Sequence, residues 1–218
     1  MKKSQFKFSD RFNSEKLLNK VINLAIDSYY IILENEKYVK NEMDTKRENQ
    51  YRSDLVELMK KNKVDFGLGC LIINAETEEY NEGNVGLLDI KIQYSHFNYI
   101  DIDKNYHTIE CKRLDKNLYF TDYYKHGICE FISGKYSRNT NHAGMICFIE
   151  EFNDNHTTEI IVDKLNNYLL RKNESILQKI NHECFDYIYQ STHDRMITNE
   201  KISIKHLFFD YSSIFVDT

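Results

Sequence analysis

The chain predicts an α/β fold: a mixed central sheet flanked by helices, with a C-terminal β-hairpin. Three observations predict it. Residues 144–150, Gly144 to Glu150, are almost continuously apolar, as in a strand covered on both faces. A strand pattern at His107 to Arg113, a helical pattern near Thr121 to Ser137 and that apolar run follow one another, the succession that sets two parallel strands side by side through a right-handed crossover. Upstream, Leu17, Leu18, Val21, Ile22, Ala25, Tyr29 and Ile32 recur at helical spacing, which supplies an amphipathic covering helix.

The other elements follow in chain order. Residues 1–13 are polar and predict a frayed terminus, and residues 36–47 are charge-rich and read as a connection. A second helix is expected from about Glu48 to Lys61, with Tyr51, Leu55, Leu58 and Met59 as its apolar stripe. Four strands are expected around Asp65 to Asn74, Gly86 to Gln93, His107 to Arg113 and Gly144 to Glu150. Thr157 to Lys172 predicts a further helix through Ile160, Ile161, Leu165, Tyr168 and Leu169, and Tyr187 to Gln190 with Ile202 to Phe209 predicts a hairpin that extends the sheet. With no repeat or low-complexity linker, residues 1–218 read as one domain, with an N-terminal helical region (1–44), a core (45–150) and a C-terminal elaboration (151–218).

Composition narrows the function class. At 41% hydrophobic and 13% aromatic residues, 218 residues suffice for one sizeable core. No apolar run approaches the roughly 20 residues needed to cross a bilayer, and Met1-Lys2-Lys3-Ser4 opens no apolar leader segment, so no membrane partner is expected and a cytoplasmic protein is. The five cysteines, Cys70, Cys111, Cys129, Cys147 and Cys184, show no C-x-x-C spacing, which supports neither a zinc knuckle nor a disulfide framework. A net charge of −5 excludes a broadly basic coat, so any polyanion must be met by a local patch.

The chemistry lies in Leu87-Leu88-Asp89-Ile90-Lys91-Ile92 and Thr108-Ile109-Glu110-Cys111-Lys112-Arg113-Leu114. Alternation along a strand projects Glu110 and Lys112 from one face and turns Ile109 and Cys111 into the opposite layer. Two carboxylates and an ammonium at a sheet edge suit phosphodiester hydrolysis: hard oxygen ligands recruit Mg²⁺, which acidifies a bound water and neutralises phosphate charge, and the lysine positions or deprotonates the attacking water. Asp89-Ile90-Lys91 also sets an acid two residues before a lysine and provides a rival register, in which Lys91 replaces Lys112.

This Asp…Glu-x-Lys arrangement resembles the core of the PD-(D/E)xK, or restriction-endonuclease-like, nuclease superfamily, with Leu88 standing where the motif's proline would be. The resemblance spans roughly residues 45 to 150. The context Gly127-Ile128-Cys129-Glu130-Phe131, Gly134-Lys135-Tyr136 and Ala143-Gly144-Met145-Ile146-Cys147-Phe148 is similar to that of nucleases in bacterial defence systems. The resemblance implies a restriction-endonuclease-like core and a Mg²⁺-dependent nuclease, with Mn²⁺ able to substitute. It implies DNA in preference to RNA, Asp89 and Glu110 as metal ligands, the Cys111 carbonyl completing the oxygen shell, and Lys112 orienting the nucleophilic water. As such a chain carries no separate reading head, a homo-oligomer or a partner such as an ATPase or sensor is expected to provide targeting. The alternative is a catalytically silent binding module on the same fold.

Other residues carry two readings each. Glu48 falls on the core-facing stripe of the second helix whereas Glu57 does not; it is either a first-turn carboxylate favoured by the macrodipole or, as in many relatives of the superfamily, a third acid of the site. Arg113, Tyr124, Lys125, Lys135 and Arg138, with Tyr123, are candidate nucleic-acid contacts or ordinary packing and surface residues. Glu130 is placed to pair with a lysine. His193 and His206 are expected to meet across the hairpin, as structural residues or phosphate contacts. Cys111 as a nucleophile is disfavoured, because alternation buries it and no histidine lies at a diagnostic spacing.

Overall fold

The computed structural model describes residues 15–35, 38–39, 47–81, 84–94, 106–114, 118–137, 140–150, 157–196 and 200–216. Its element order is α1 (Glu15–Asn35), β1 (Tyr38–Val39), α2 (Arg47–Asn62), β2 (Leu71–Asn81), β3 (Asn84–Tyr94), β4 (His107–Leu114), α3 (Phe120–Tyr123), a π-helical turn (Tyr124–Ile128), α4 (Cys129–Ile132), β5 (His142–Ile149), α5 (Thr158–Leu170), β6 (Gln178–Lys179), β7 (Ile188–Asp194), β8 (Lys201–Asp210) and β9 (Phe215–Val216). Seven strands form one open mixed sheet in the order β2-β3-β4-β5-β8-β7-β6, and β1 pairs in parallel with β9 beside it.

The middle of the sheet is parallel and its flanks antiparallel. β4 and β5 run parallel through the helical segment 120–132, with Glu110 beside Met145 and Lys112 beside Cys147. The C-terminal hairpin joins β5 in parallel through its second strand, β8, and leaves β7 and β6 outside it. These middle strands are buried on both faces, which is why residues 144–150 read as a continuous apolar run.

Strand parity assigns the two layers. On one face Tyr29 of α1 stacks on Phe209, ring centres 4.3 Å apart, and Tyr51 of α2 meets Phe148 at 5.5 Å. On the other, Tyr123 of α3 stacks against Phe208 at 6.1 Å. The π turn rests directly on the sheet because residue 127 is glycine: a Cβ there would stand 2.4 Å from Met145 Cε and 3.9 Å from Lys112 Cγ. No helix among the described residues is long and apolar enough to cross a membrane.

The expected first strand, Asp65 to Asn74, is displaced. Residues 63–70 instead form turns, with Gly67 at φ 67° and its N–H donating to Val64 O at 2.9 Å, and the strand runs from Leu71 to Asn81. Its charged second half, Glu76-Thr77-Glu78-Glu79, hid it from an apolar-pattern reading, since an edge strand tolerates such charge.

The two histidines do meet across the hairpin, through Ser191. Tyr123 Oη lies 2.7 Å from His206 Nδ1, His206 Nε2 lies 2.8 Å from Ser191 Oγ, Ser191 Oγ lies 2.8 Å from His193 Nε2, and His193 Nδ1 lies 3.1 Å from Glu174 Oε2. One proton order satisfies every link. Tyr123 donates to His206, His206 to Ser191, Ser191 to His193 and His193 to Glu174, with both rings neutral. Burial lowers the pKa of both imidazoles, although Glu174 pulls His193 back up. A base with a depressed folded pKa contributes stability that is present above its unfolded value of 6.5 and is lost as pH falls. The parent chain is therefore expected to lose urea resistance relative to a His193→Gln variant as pH drops below about 6.5. Parallel pH profiles for the two proteins would remove His193 from that role.

Candidate active site

The site forms where the β3–β4 ladder stops. The last backbone pair there is Ile90 with Ile109, and one residue further along β3 the Asp89 side chain takes over, its Oδ2 accepting from Cys111 N–H at 2.8 Å. Asp89 is thus fixed beside Glu110, and both are almost fully buried. Lys112 Nζ stands between them, 2.7 Å from Glu110 Oε1 and 3.7 Å from Asp89 Oδ2, and also donates to Cys111 O at 2.9 Å. Parity along β4 acts as expected: Cys111 Sγ is buried in the opposite layer, where burial pushes its thiol well up, so it is no nucleophile.

α2 closes the site from one side. Its first-turn Glu48 is partly buried and accepts from Arg113 N–H at 2.8 Å, whereas Glu57 is exposed. Burial raises the Glu48 pKa; Lys112 opposes that rise and Asp89 adds to it, so Glu48 belongs electrostatically to this cluster. One turn along, Arg52 donates to Asp89 Oδ1 and to Glu76 Oε1. Neither Arg52 nor Glu76 figures in the sequence reading. Arg52 was legible, since it follows Glu48 by four residues on the same buried stripe as Tyr51, Leu55 and Met59. Glu76 gave no signal, because only the fold sets it near Asp89.

Charge and burial together define what the cluster lacks. Four carboxyl groups (Glu48, Glu76, Asp89, Glu110) face two cations (Arg52, Lys112). Burial, then the Asp89 charge, pushes Glu110 up to about 8 against the pull of Lys112. Burial works against the Lys112 ammonium, but Glu110, Asp89 and Glu48 outweigh it, so its pKa is raised and it stays protonated. Glu110 Oε2 is buried with no hydrogen-bond partner. Two buried acids that raise one another's cost of ionisation, one with an oxygen left without a partner, are what a hard divalent cation would satisfy. Among the described residues no group of three or more His, Cys, Asp or Glu side chains gathers as a metal cluster. The two acids that share Lys112 are Asp89 and Glu110, a number sufficient for Mg²⁺, which commonly takes one or two carboxylates and keeps several waters.

The proposed nucleic-acid contacts divide. Tyr124 Oη donates to Glu174 Oε1 at 2.9 Å, and Lys135 pairs with Glu130 at 2.9 Å over the Tyr136 ring, which gives Glu130 its lysine. Lys125 is exposed on the π turn, Arg113 is partly exposed with Nη1 3.5 Å from Glu150 Oε1, and Tyr123 is buried on His206. Arg138 lies outside the described residues. In the rival register, Lys91 Nζ sits 4.8 Å from the centre of the Tyr106 ring, and it is Lys112 that separates the two acids.

Comparison of the chain with protein-family models, with curated proteins and with solved structures finds no match. The fold is established as an open α/β sheet flanked by helices, and function rests on the site's own chemistry.

Proposed function

We propose that this chain is a divalent-metal-dependent nuclease of the PD-(D/E)xK type, hydrolysing phosphodiester bonds, of DNA in preference to RNA, as an effector of a bacterial defence or restriction system. The observation that carries the reading is the convergence of Asp89, Glu110 and Lys112 at the end of the β3–β4 ladder, with Glu110 Oε2 unpartnered. Asp89 and Glu110 would hold Mg²⁺, or Mn²⁺ in its place, with the Cys111 carbonyl oxygen beside them. Bound metal supplies Lewis-acid charge neutralisation and an acidified water.

The protein's own groups do the rest. Lys112, held cationic by three carboxyl groups, donates hydrogen bonds; it orients a water and offsets charge on a phosphoryl oxygen, and does not act as the base. Glu48 fixes the backbone of Arg113 and adds negative potential at the site, which draws cations toward it. Among the described candidates, Lys125, exposed on the π turn, and Arg113, next to Lys112 on β4, would meet a phosphate backbone. A second copy of the chain, or a partner such as an ATPase or sensor, would provide targeting, and light scattering of the purified chain at micromolar concentration tests the first.

The deciding assay incubates the purified chain with labelled DNA and RNA, with and without Mg²⁺ or Mn²⁺. Cleavage is expected only with metal; Lys112→Ala should abolish it and Lys91→Ala should spare it. The reverse pattern would move the site to the Asp89-Ile90-Lys91 register. A silent binding module is favoured by one observation, the engagement of Asp89 by Arg52. Nucleic-acid binding without metal-dependent cleavage in any arm would decide for it.

A further inference from the structure

Arg52 is 2% exposed, and every group it bonds is an acid or an amide. Its Nη1 donates to Asp89 Oδ1, while its Nη2 donates to Glu76 Oε1 and, at 3.1 Å, to Asn49 Oδ1. Its Nε–H is buried with no partner. The five donors of the guanidinium are thus only partly satisfied where it stands.

Glu76 is placed by an unusual backbone. It adopts φ 50° inside β2, at the position across from Asp89, where the ladder passes from Ala75–Ile90 to Thr77–Leu88 and leaves Glu76 unpaired. A non-glycine residue held left-handed within a strand is strained, and such strain persists where surrounding contacts over-determine it. Here it delivers a half-exposed carboxylate to Nη2, the guanidinium nitrogen that does not hold Asp89.

We propose that Arg52 stands in for the divalent cation at Asp89, and that Glu76 is the acceptor onto which it withdraws when the cation enters. This rests on the reading of Asp89 and Glu110 as a metal site. Both cations seek the same carboxylate, so metal entry and Arg52 occupancy of Asp89 oppose each other, while Glu76 favours entry by keeping the displaced guanidinium paired. Arg52 is then a positioning residue that sets the metal threshold of the site. In the resting state it keeps Asp89 paired and correctly aimed.

A double-mutant cycle on Mn²⁺ affinity, read as free Mn²⁺ by electron paramagnetic resonance, tests this without any cleavage assay. Arg52→Gln is expected to bind Mn²⁺ about tenfold more tightly than the parent, and Glu76→Gln about tenfold more weakly. In the Arg52→Gln background, Glu76→Gln is expected to change affinity by less than about twofold, because the acceptor has nothing left to accept. An undiminished Glu76 effect in that background would reduce Glu76 to a plain surface charge and overturn the exchange; so would unchanged or weaker binding by Arg52→Gln. The Arg52 Nε–Hε signal of the parent chain, followed by NMR during Mg²⁺ titration, needs no Arg52 variant to fold: it should shift in step with binding, and a static signal while metal binds refutes the proposal. Absence of Mn²⁺ binding by the parent and every variant would sink the metal reading and the exchange with it, a pattern distinct from intact binding that ignores Arg52.

Discussion

Replacing Glu110 with glutamine is expected to abolish Mn²⁺ binding and cut metal-dependent cleavage by about 100-fold or more, and at the same time to raise the melting temperature at pH 8.5. The two effects share one cause. Glu110 is 4% exposed beside a second acid, and its pKa is pushed up to about 8, first by burial and then by the Asp89 charge. With a folded pKa above its unfolded value of 4.5, the group's contribution is fully present below that value and is lost as pH rises toward 8, because the unfolded chain releases its proton first. Glutamine carries no such loss. The gain is on the order of 5 kcal/mol above pH 8, or about 10 °C or more in a chain of this length, and it vanishes near pH 4. Mn²⁺ binding by the parent should strengthen with pH and level off above about 8, as the proton ceases to compete. A variant that melts lower than the parent at pH 8.5, or that still binds Mn²⁺, contradicts the assignment of Glu110 as a strained, functional acid.

Tyr51→Ala is expected to cost about 3–5 kcal/mol, measured as a lowered urea midpoint. Tyr51 is fully buried and meets Tyr38 at 4.9 Å, Tyr211 at 4.9 Å and Phe148 at 5.5 Å, and its hydroxyl donates to Glu150 Oε1 at 2.9 Å. Burial, then the Glu150 charge, raises its pKa, so the phenol stays a donor. Truncation opens a cavity and leaves Glu150 to Arg47 at 3.7 Å and Arg113 at 3.5 Å. Tyr51→Phe keeps the ring and should cost only about 1 kcal/mol. Glu48 and Arg52 flank Tyr51 on α2, so loosening this anchor should also disturb both groups that α2 brings to the site. A loss of less than about 1 kcal/mol in the alanine variant would show that α2 is held by something other than this aromatic cluster.

Periodicity by itself determined the two N-terminal helices, the hairpin strands and the shared face of Glu110 and Lys112, because each depends on side-chain repeats of 3.6 or 2 that backbone hydrogen bonding imposes locally, and the order strand, helix, apolar strand determined the parallel β4–β5 pair. The stripe placing Glu48 inside and Glu57 outside was equally local. The start of β2 was not, since Gly67 turns the chain after α2 and a charged edge strand carries no apolar alternation. Nor was the break of the helix 120–132 into a π turn, which follows from fitting Gly127 against Met145 and Lys112. The tertiary structure alone decided that Tyr124 is committed to Glu174 and that Arg52 bridges Asp89 to Glu76. These contacts join elements distant in sequence. Coulomb energy and desolvation depend on through-space distance and burial, quantities that no residue pattern along the chain encodes.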